Sequence, residues 1–236
     1  MPSQTLRGQT FKFRRAMENF TVDISRKWEY ENGFYLTCEN SRIAKLLSHL
    51  EIYKQITELP GDILEFGVYK GTSLVRLLTF RNLLENESSR KVLGFDIFGK
   101  FPDNLELESD KKFVQNFENA GGFGISKAEL ELHLQNKGMR NYELIEGDIM
   151  KTIPQYCERY PASKIALLHI DVDVYEPSRF ILEQLWDRVV KGGIVMLDDY
   201  GTVEGETKAV DEFFKEQDIK IHKTSFNYIP SYIIKK

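Results

Sequence analysis

The sequence predicts an α/β fold: a doubly wound, mostly parallel, seven-stranded sheet with helices on both faces, preceded by an N-terminal helical cap. Three observations predict it. Beyond Pro60-Gly61, short apolar runs alternate with segments of helical length and periodicity. Two more strand-like runs close the chain. Ahead of Pro60-Gly61, residues 1–58 read as helix with one polar face. The break at Pro60-Gly61 therefore divides the chain into a cap, 1–58, and a sheet-bearing domain, 59–236.

The elements follow in order. "SRIAKLLSHLEIYKQITEL" (41–59) carries Ile43, Leu46, Leu47, Leu50 and Ile56 at close to helical spacing. "DILEFG" (62–67) reads as the first strand, and a helix runs from about Thr72 to Leu84. "KVLGFDIF" (91–98), "NYELIEG" (141–147), "KIALLHIDVD" (164–173) and "GGIVMLDD" (192–199) are the next four strands. Between the last two, "PSRFILEQLWDRVV" (177–190) begins with Pro at a position the first helical turn tolerates. Gly192-Gly193 then supplies the glycine expected after a helix C-terminus. "ETKAVDEFFKEQ" is a helix, and "IKIHKTS" and "SYIIKK" are the closing strands.

Composition narrows the function classes. With 236 residues and 42% hydrophobic content the chain can bury a sizeable core. A net charge of −4, from 32 basic and 36 acidic residues without a basic block, lacks the footprint of a nucleic-acid binder. Cys38 and Cys157 are too few and too far apart for a disulfide framework or a zinc site. The first 20 residues are basic but have no apolar core, and no stretch reaches membrane-spanning length. The expectation is a cytoplasmic protein with no membrane and no nucleic-acid partner.

Open sheets of this kind bind ligands beyond the carboxyl ends of their strands. After the first strand comes "LEFGVYKGTSL" (64–74). Gly67 and Gly71 allow a tight turn, and Ser73 sits in the opening turn of the next helix, where backbone N–H groups meet anions. A G-x-G-x-x-G pattern is absent because Tyr69 stands where its second glycine belongs, which disfavours a dinucleotide. A turn without a ligand is the competing reading. The second strand ends at Asp96, which can accept hydrogen bonds from both hydroxyls of a ribose or simply form a turn. Together the two features indicate a nucleoside pocket. The third strand ends in Gly147-Asp148, where Asp148 either faces the cleft or caps the helix that follows.

The fourth and fifth strands end in acids. Asp171 and Asp173 have period-2 spacing and share a face if the strand extends that far; His169, on the same face, reads as a structural residue. Asp198 and Asp199 end the fifth strand. If those two strands are adjacent, Asp171, Asp198 and Asp199 lie at one height on the same rim, where three carboxylates resist ionising together. A divalent cation removes that conflict, and all-oxygen ligation suits Mg²⁺. The alternative is an N-capping Asp beside a solvated neighbour.

"LEFGVYKGTSL", "GFDIFGKFP", "HIDVDVYEPS" and "GGIVMLDDYG", from about residue 33 to 215, resemble the macrocin O-methyltransferase family of metal- and S-adenosylmethionine-dependent sugar methyltransferases. The D-x-D-x-Y-E segment followed by D-D-Y carries most of the specificity, whereas E-x-G-x-x-x-G is widely shared, including with catechol-type methyltransferases. The resemblance implies a class I methyltransferase, Rossmann-like domain over 59–236. It implies that Glu65, Gly67, Tyr69, Gly71 and Ser73 hold the methionine part of the cofactor, that Asp96 binds its ribose, and that Phe98, Asp148 and Ile149 lie near the adenine. It also implies Asp171, Asp198 and Asp199 as ligands of Mg²⁺ or another divalent cation, with Asp171 taking the proton of the acceptor hydroxyl. A small-molecule sugar acceptor and a homo-oligomer complete the expectation.

The sequence departs from the family at Val172, where a small residue is common, and in the long stretch 99–140, which is expected to form much of the acceptor pocket. A catechol or phenol methyltransferase using the same cofactor and metal is the runner-up. A cofactor-binding protein without catalysis is the third reading, disfavoured by the intact acidic set. The cap is either a lid that orders on binding or an assembly contact.

Overall fold

A computed structural model describes residues 22–101, 105 and 107–236. The expected cap residues 1–21, and 102–104 and 106 of the expected acceptor stretch, lie outside the described residues. Among the described residues, a 3₁₀ turn (Ile24–Arg26) precedes helices α1 (Lys27–Thr37) and α2 (Asn40–Lys54). Then come β1 (Asp62–Phe66), α3 (Thr72–Leu84), β2 (Val92–Asp96), α4 (Glu108–Gly121), α5 (Lys127–Asn136) and β3 (Tyr142–Glu146). The second half contains α6 (Ile149–Arg159), β4 (Ile165–Ile170), α7 (Tyr175–Leu185), β5 (Val189–Leu197), α8 (Glu204–Phe213), β6 (Ile221–Lys223) and β7 (Ser231–Ile234).

The seven strands form one sheet in the order β3-β2-β1-β4-β5-β7-β6. All neighbours are parallel except β7, which runs antiparallel to both β5 and β6. This is the doubly wound sheet the alternation predicts, with its order reversing between β1 and β4. Two apolar layers cover it. Ile52, Tyr53, Leu74, Leu77 and Leu134 pack on one face, and Ile153, Ile181, Leu182, Leu185 and Val210 on the other. Burying each such side chain contributes about 1.5–3 kcal/mol. Among the described residues no helix is long and apolar enough to cross a membrane.

Strand parity decides what each face receives. Leu64 and Phe66 of β1 and Leu168 and Ile170 of β4 enter the α6–α8 layer. The residues between them, Glu65 and His169, therefore point into the α2–α3 layer, where both are fully buried. Two buried arginines close the opposite end of the sheet. Arg81 donates to the carbonyls of Arg90, Arg140 and Asn141, and Arg90 pairs with Glu85 while donating to the carbonyls of Ile56, Leu59 and Gly61.

Two expectations need correction. The helix before β5 ends at Leu185, followed by a 3₁₀ turn over Trp186–Arg188, so Gly192-Gly193 does not end it. Both glycines lie inside β5, where Gly192 takes φ +81° and its N–H donates to the carbonyl of Lys235. Glycine doublets mark helix ends and strand irregularities alike, and pairing with the C-terminal strand region selects the second. Likewise β4 stops at Ile170. Asp173 takes φ +66°, so the strand alternation does not carry through Asp171 and Asp173.

Candidate functional site

The carboxyl ends of β1, β2, β4 and β5 meet in one region. Three of these strands are followed by a turn in an uncommon backbone conformation: Gly67 (φ +88°) and Tyr69 (φ +49°) after β1, Phe98 (φ +52°) after β2, and Asp173 after β4. A bulky residue at positive φ costs on the order of 1–3 kcal/mol, so surrounding contacts must hold it there. Asp96 supplies them after β1 and β2. One of its carboxylate oxygens accepts the N–H groups of Val68 (2.6 Å) and Tyr69 (2.9 Å), and the other that of Phe98 (2.6 Å). A carboxylate has about four acceptor sites, so capacity remains for a ligand hydroxyl.

Gly67 has a steric reason. A Cβ there would lie 1.8 Å from the Asp171 carbonyl oxygen, so the two turns touch backbone to backbone. Gly71 caps α3 in the left-handed conformation at φ +78°. With no side chain of its own, it leaves the first N–H groups of the helix facing an incoming anion. Ser73 turns inward, where its hydroxyl donates to buried Glu65 at 2.6 Å. What Ser73 can offer a ligand is thus its backbone. Asp148 is the N-cap of α6, accepting the Met150 N–H at 3.0 Å, and Ile149 opens that helix. The capping reading of Asp148 is therefore realised.

Aromatic rings flank this turn: Phe117 of α4 stands edge-on to Tyr69 with centroids 5.2 Å apart and also meets Phe101 and Phe113. Asp110, at the start of α4, is buried and accepts the Tyr175 N–H at 2.7 Å, fixing this part of the 99–140 stretch to the N-terminus of α7.

β4 and β5 pair in register, Ile170 opposite Leu197, which brings Asp171 and Asp198 to the same height. Ligand atoms of Asp171, Asp198 and Asp199 all lie within 4.8 Å of one another. Their charge states divide. Burial and the neighbouring Asp198 push Asp171 well above the usual carboxylate range, and burial with Asp199 and Asp171 does the same to Asp173. Burial and Asp198 raise Asp199. Burial also acts against charge on Asp198, but His169, His49 and Lys45 outweigh it and hold that carboxyl well below the range. Carboxylates this close resist ionising together, and a divalent cation among them relieves that conflict. The donor set fits a hard ion.

Asp198 has two distinct sides. Its Oδ1 lies 3.5 Å from His169 Nε2 and 3.8 Å from His49 Nε2, both imidazoles fully buried. These separations exceed hydrogen-bond length. Burial opposes charge on His169, yet the Asp198 and Glu65 carboxylates push it up to about 10, whereas burial lowers His49 to about 4. The cationic His169 has no lone pair for a metal, although His49, His169 and Asp198 cluster closely enough to hold one. On the other side, Asp198 Oδ2 accepts a hydrogen bond from the Lys45 ammonium. Behind Asp199, buried Glu206 accepts its backbone N–H at 3.0 Å.

All twelve residues singled out from the sequence thus lie at or just beyond strand ends, in the turns or in the helical turns that follow. Lys45, His49 and Glu206 were not among them. Lys45 and His49 stand four apart in α2 and so share a face, a pattern visible in the sequence but silent about which acid that face meets.

The class this fold and site define is that of doubly wound α/β methyltransferases, and solved structures agree. The O-methyltransferase NovP superposes with a TM-score of 0.72 at 22% identity, over 82% of this chain and 80% of that one. A TDP-rhamnose 3'-O-methyltransferase of calicheamicin biosynthesis superposes with a TM-score of 0.67 at 23% identity, over 99% and 96%. Residues 32–233 match Macrocin-O-methyltransferase (TylF), and the chain belongs to that family of O-methyltransferases. Among curated relatives, demethyldecarbamoylnovobiocin O-methyltransferase of Streptomyces niveus is 28% identical over 230 residues, 92% of this chain and 84% of that one.

Proposed function

We propose that this chain transfers a methyl group from S-adenosylmethionine to a hydroxyl of a sugar, nucleotide-activated or glycosidic, with a divalent cation such as Mg²⁺ held by Asp171, Asp198 and Asp199. The observation that carries the reading is the contact between Gly67 and the Asp171 carbonyl, which joins the nucleoside-type turn to the acidic cluster. The relative named for TDP-rhamnose supports a sugar acceptor.

In this reading the N–H groups at the start of α3, with Glu65, Gly67, Tyr69, Gly71 and Ser73, hold the methionine end of the cofactor. Asp96 binds the ribose through its remaining acceptor capacity, and Phe98, Asp148 and Ile149 border the adenine. The cofactor supplies an electrophilic methyl group, and the cation supplies Lewis acidity that lowers the pKa of an acceptor hydroxyl. Asp171 takes the hydroxyl proton on its carboxylate. Holding the reacting groups in line accounts for about 7–11 kcal/mol of the barrier. Residues 22–58 serve as a cap beside domain 59–236.

A phenolic acceptor is the second reading, favoured by the rings of Tyr69, Phe101, Phe113 and Phe117 beside the turn. Calorimetric titration of S-adenosylhomocysteine, in EDTA and in Mg²⁺, tests the cofactor: binding is expected, and none in either buffer overturns the proposal. A panel of nucleotide-activated sugars and catechols, assayed with metal, then separates the two acceptors.

A further inference from the structure

Lys45 belongs to α2, outside the strand-end turns, yet its side chain is only 17% exposed and its ammonium meets Asp198, which is 5% exposed. The same ammonium also lies within electrostatic reach of Asp171 and Asp199. Asp198 has two oxygens, one turned to His49 and His169 and the other to Lys45. The ammonium thus occupies one of the two oxygens that Asp198 could offer a metal, at the carboxylate whose ligand atom lies within 4.8 Å of those of Asp171 and Asp199. Two cations held at one buried carboxylate repel, so each weakens the hold of the other.

We infer that Lys45 is a tethered stand-in for the divalent cation: its ammonium neutralises the acidic cluster in the metal-free protein and must be displaced when the ion binds. This rests on the metal-site reading given above. The anchor and the moving part are separate. His49, Ile52 and Tyr53 fix the second half of α2 in the core, and Ser48 shares a 2.6 Å hydrogen bond with Thr224. Lys45 itself is on the half-buried portion of the helix, and its four-carbon stem can withdraw the head without moving the helix. Lys45 therefore stabilises the empty cluster and weakens metal binding by competition.

The test is calorimetric titration of Mg²⁺ or Mn²⁺ into metal-stripped wild type, Lys45→Met and Asp199→Asn, with thermal melts in EDTA. Losing a competing charge-assisted hydrogen bond is worth about tenfold in affinity, so Lys45→Met is expected to bind the ion that much more tightly and to melt lower in EDTA. Equal or weaker binding by Lys45→Met overturns the inference. In unmodified protein, acetylation of Lys45 by an amine-reactive ester, read by mass spectrometry, is expected to rise several-fold with Mg²⁺; an unchanged rate at Lys45 overturns it independently of any variant's folding. Asp199→Asn is expected to lose metal binding, and wild-type binding by that variant overturns the metal-site reading itself.

Discussion

The carboxylate of Asp96 accepts the backbone N–H of Tyr69 at 2.9 Å, closing a loop of 27 residues from the end of β2 back to the turn after β1. The same carboxylate takes the N–H groups of Val68 and Phe98, so one side chain holds both positive-φ aromatic residues in place. Asp96→Asn replaces one accepting oxygen with a donor. The expected cost is about 1–3 kcal/mol, a fall of roughly 2–12 °C in melting temperature, with loss of S-adenosylhomocysteine binding by calorimetry. A variant that melts and binds like wild type shows that something else holds the turn.

Gly67→Ala places a methyl group 1.8 Å from the Asp171 carbonyl oxygen, and backbone has no rotamer to escape into. Either the β1 turn or the start of the D-x-D segment must move. Destabilisation of more than about 3 kcal/mol is expected, with cofactor and metal binding lost together in any folded fraction. Circular dichroism melts and the two titrations check this. Retention of either ligand at wild-type affinity contradicts the contact.

His169→Gln keeps a polar side chain but removes the charge that faces Asp198 from inside the sheet layer. Groups behind a metal-binding carboxylate typically tune affinity by 10–100-fold, so Mg²⁺ binding is expected to weaken by about tenfold or more. Cofactor affinity in EDTA should fall less than metal affinity, because Asp96 still holds the nucleoside turn even though His169 also faces Glu65. Parallel losses in both would make His169 a general structural residue.

Arg90→Met tests the opposite end of the sheet. Its guanidinium pairs with Glu85 and donates to three backbone carbonyls, so truncation leaves a buried carboxylate and those carbonyls without their partner. A loss of about 3–5 kcal/mol is expected in chemical denaturation, with cofactor affinity of the folded protein unchanged. Coupled loss of affinity would mean that the sheet transmits strain between its two ends.

Much of the site was legible because it depends on short-range rules. Alternation of strand and helix implies a parallel sheet, and parallel strands bring their carboxyl ends to one edge; Asp96, Asp171, Asp198 and Asp199 could therefore be placed together from spacing alone. Gly192-Gly193 misled because a glycine doublet is locally ambiguous, and only its pairing with residue 235 resolves it.

By itself the sequence determined the order of the elements, the glycine turn after β1 and the acids that end β2, β4 and β5. Tertiary structure alone decided that Glu65 and His169 are buried beneath the acidic cluster, that Glu206 backs Asp199, and that Lys45 reaches Asp198 across 153 residues. The physical reason is one of range. Periodicity and turn chemistry act over a few residues, whereas the charge that a buried carboxylate meets is set by which helix packs over its strand.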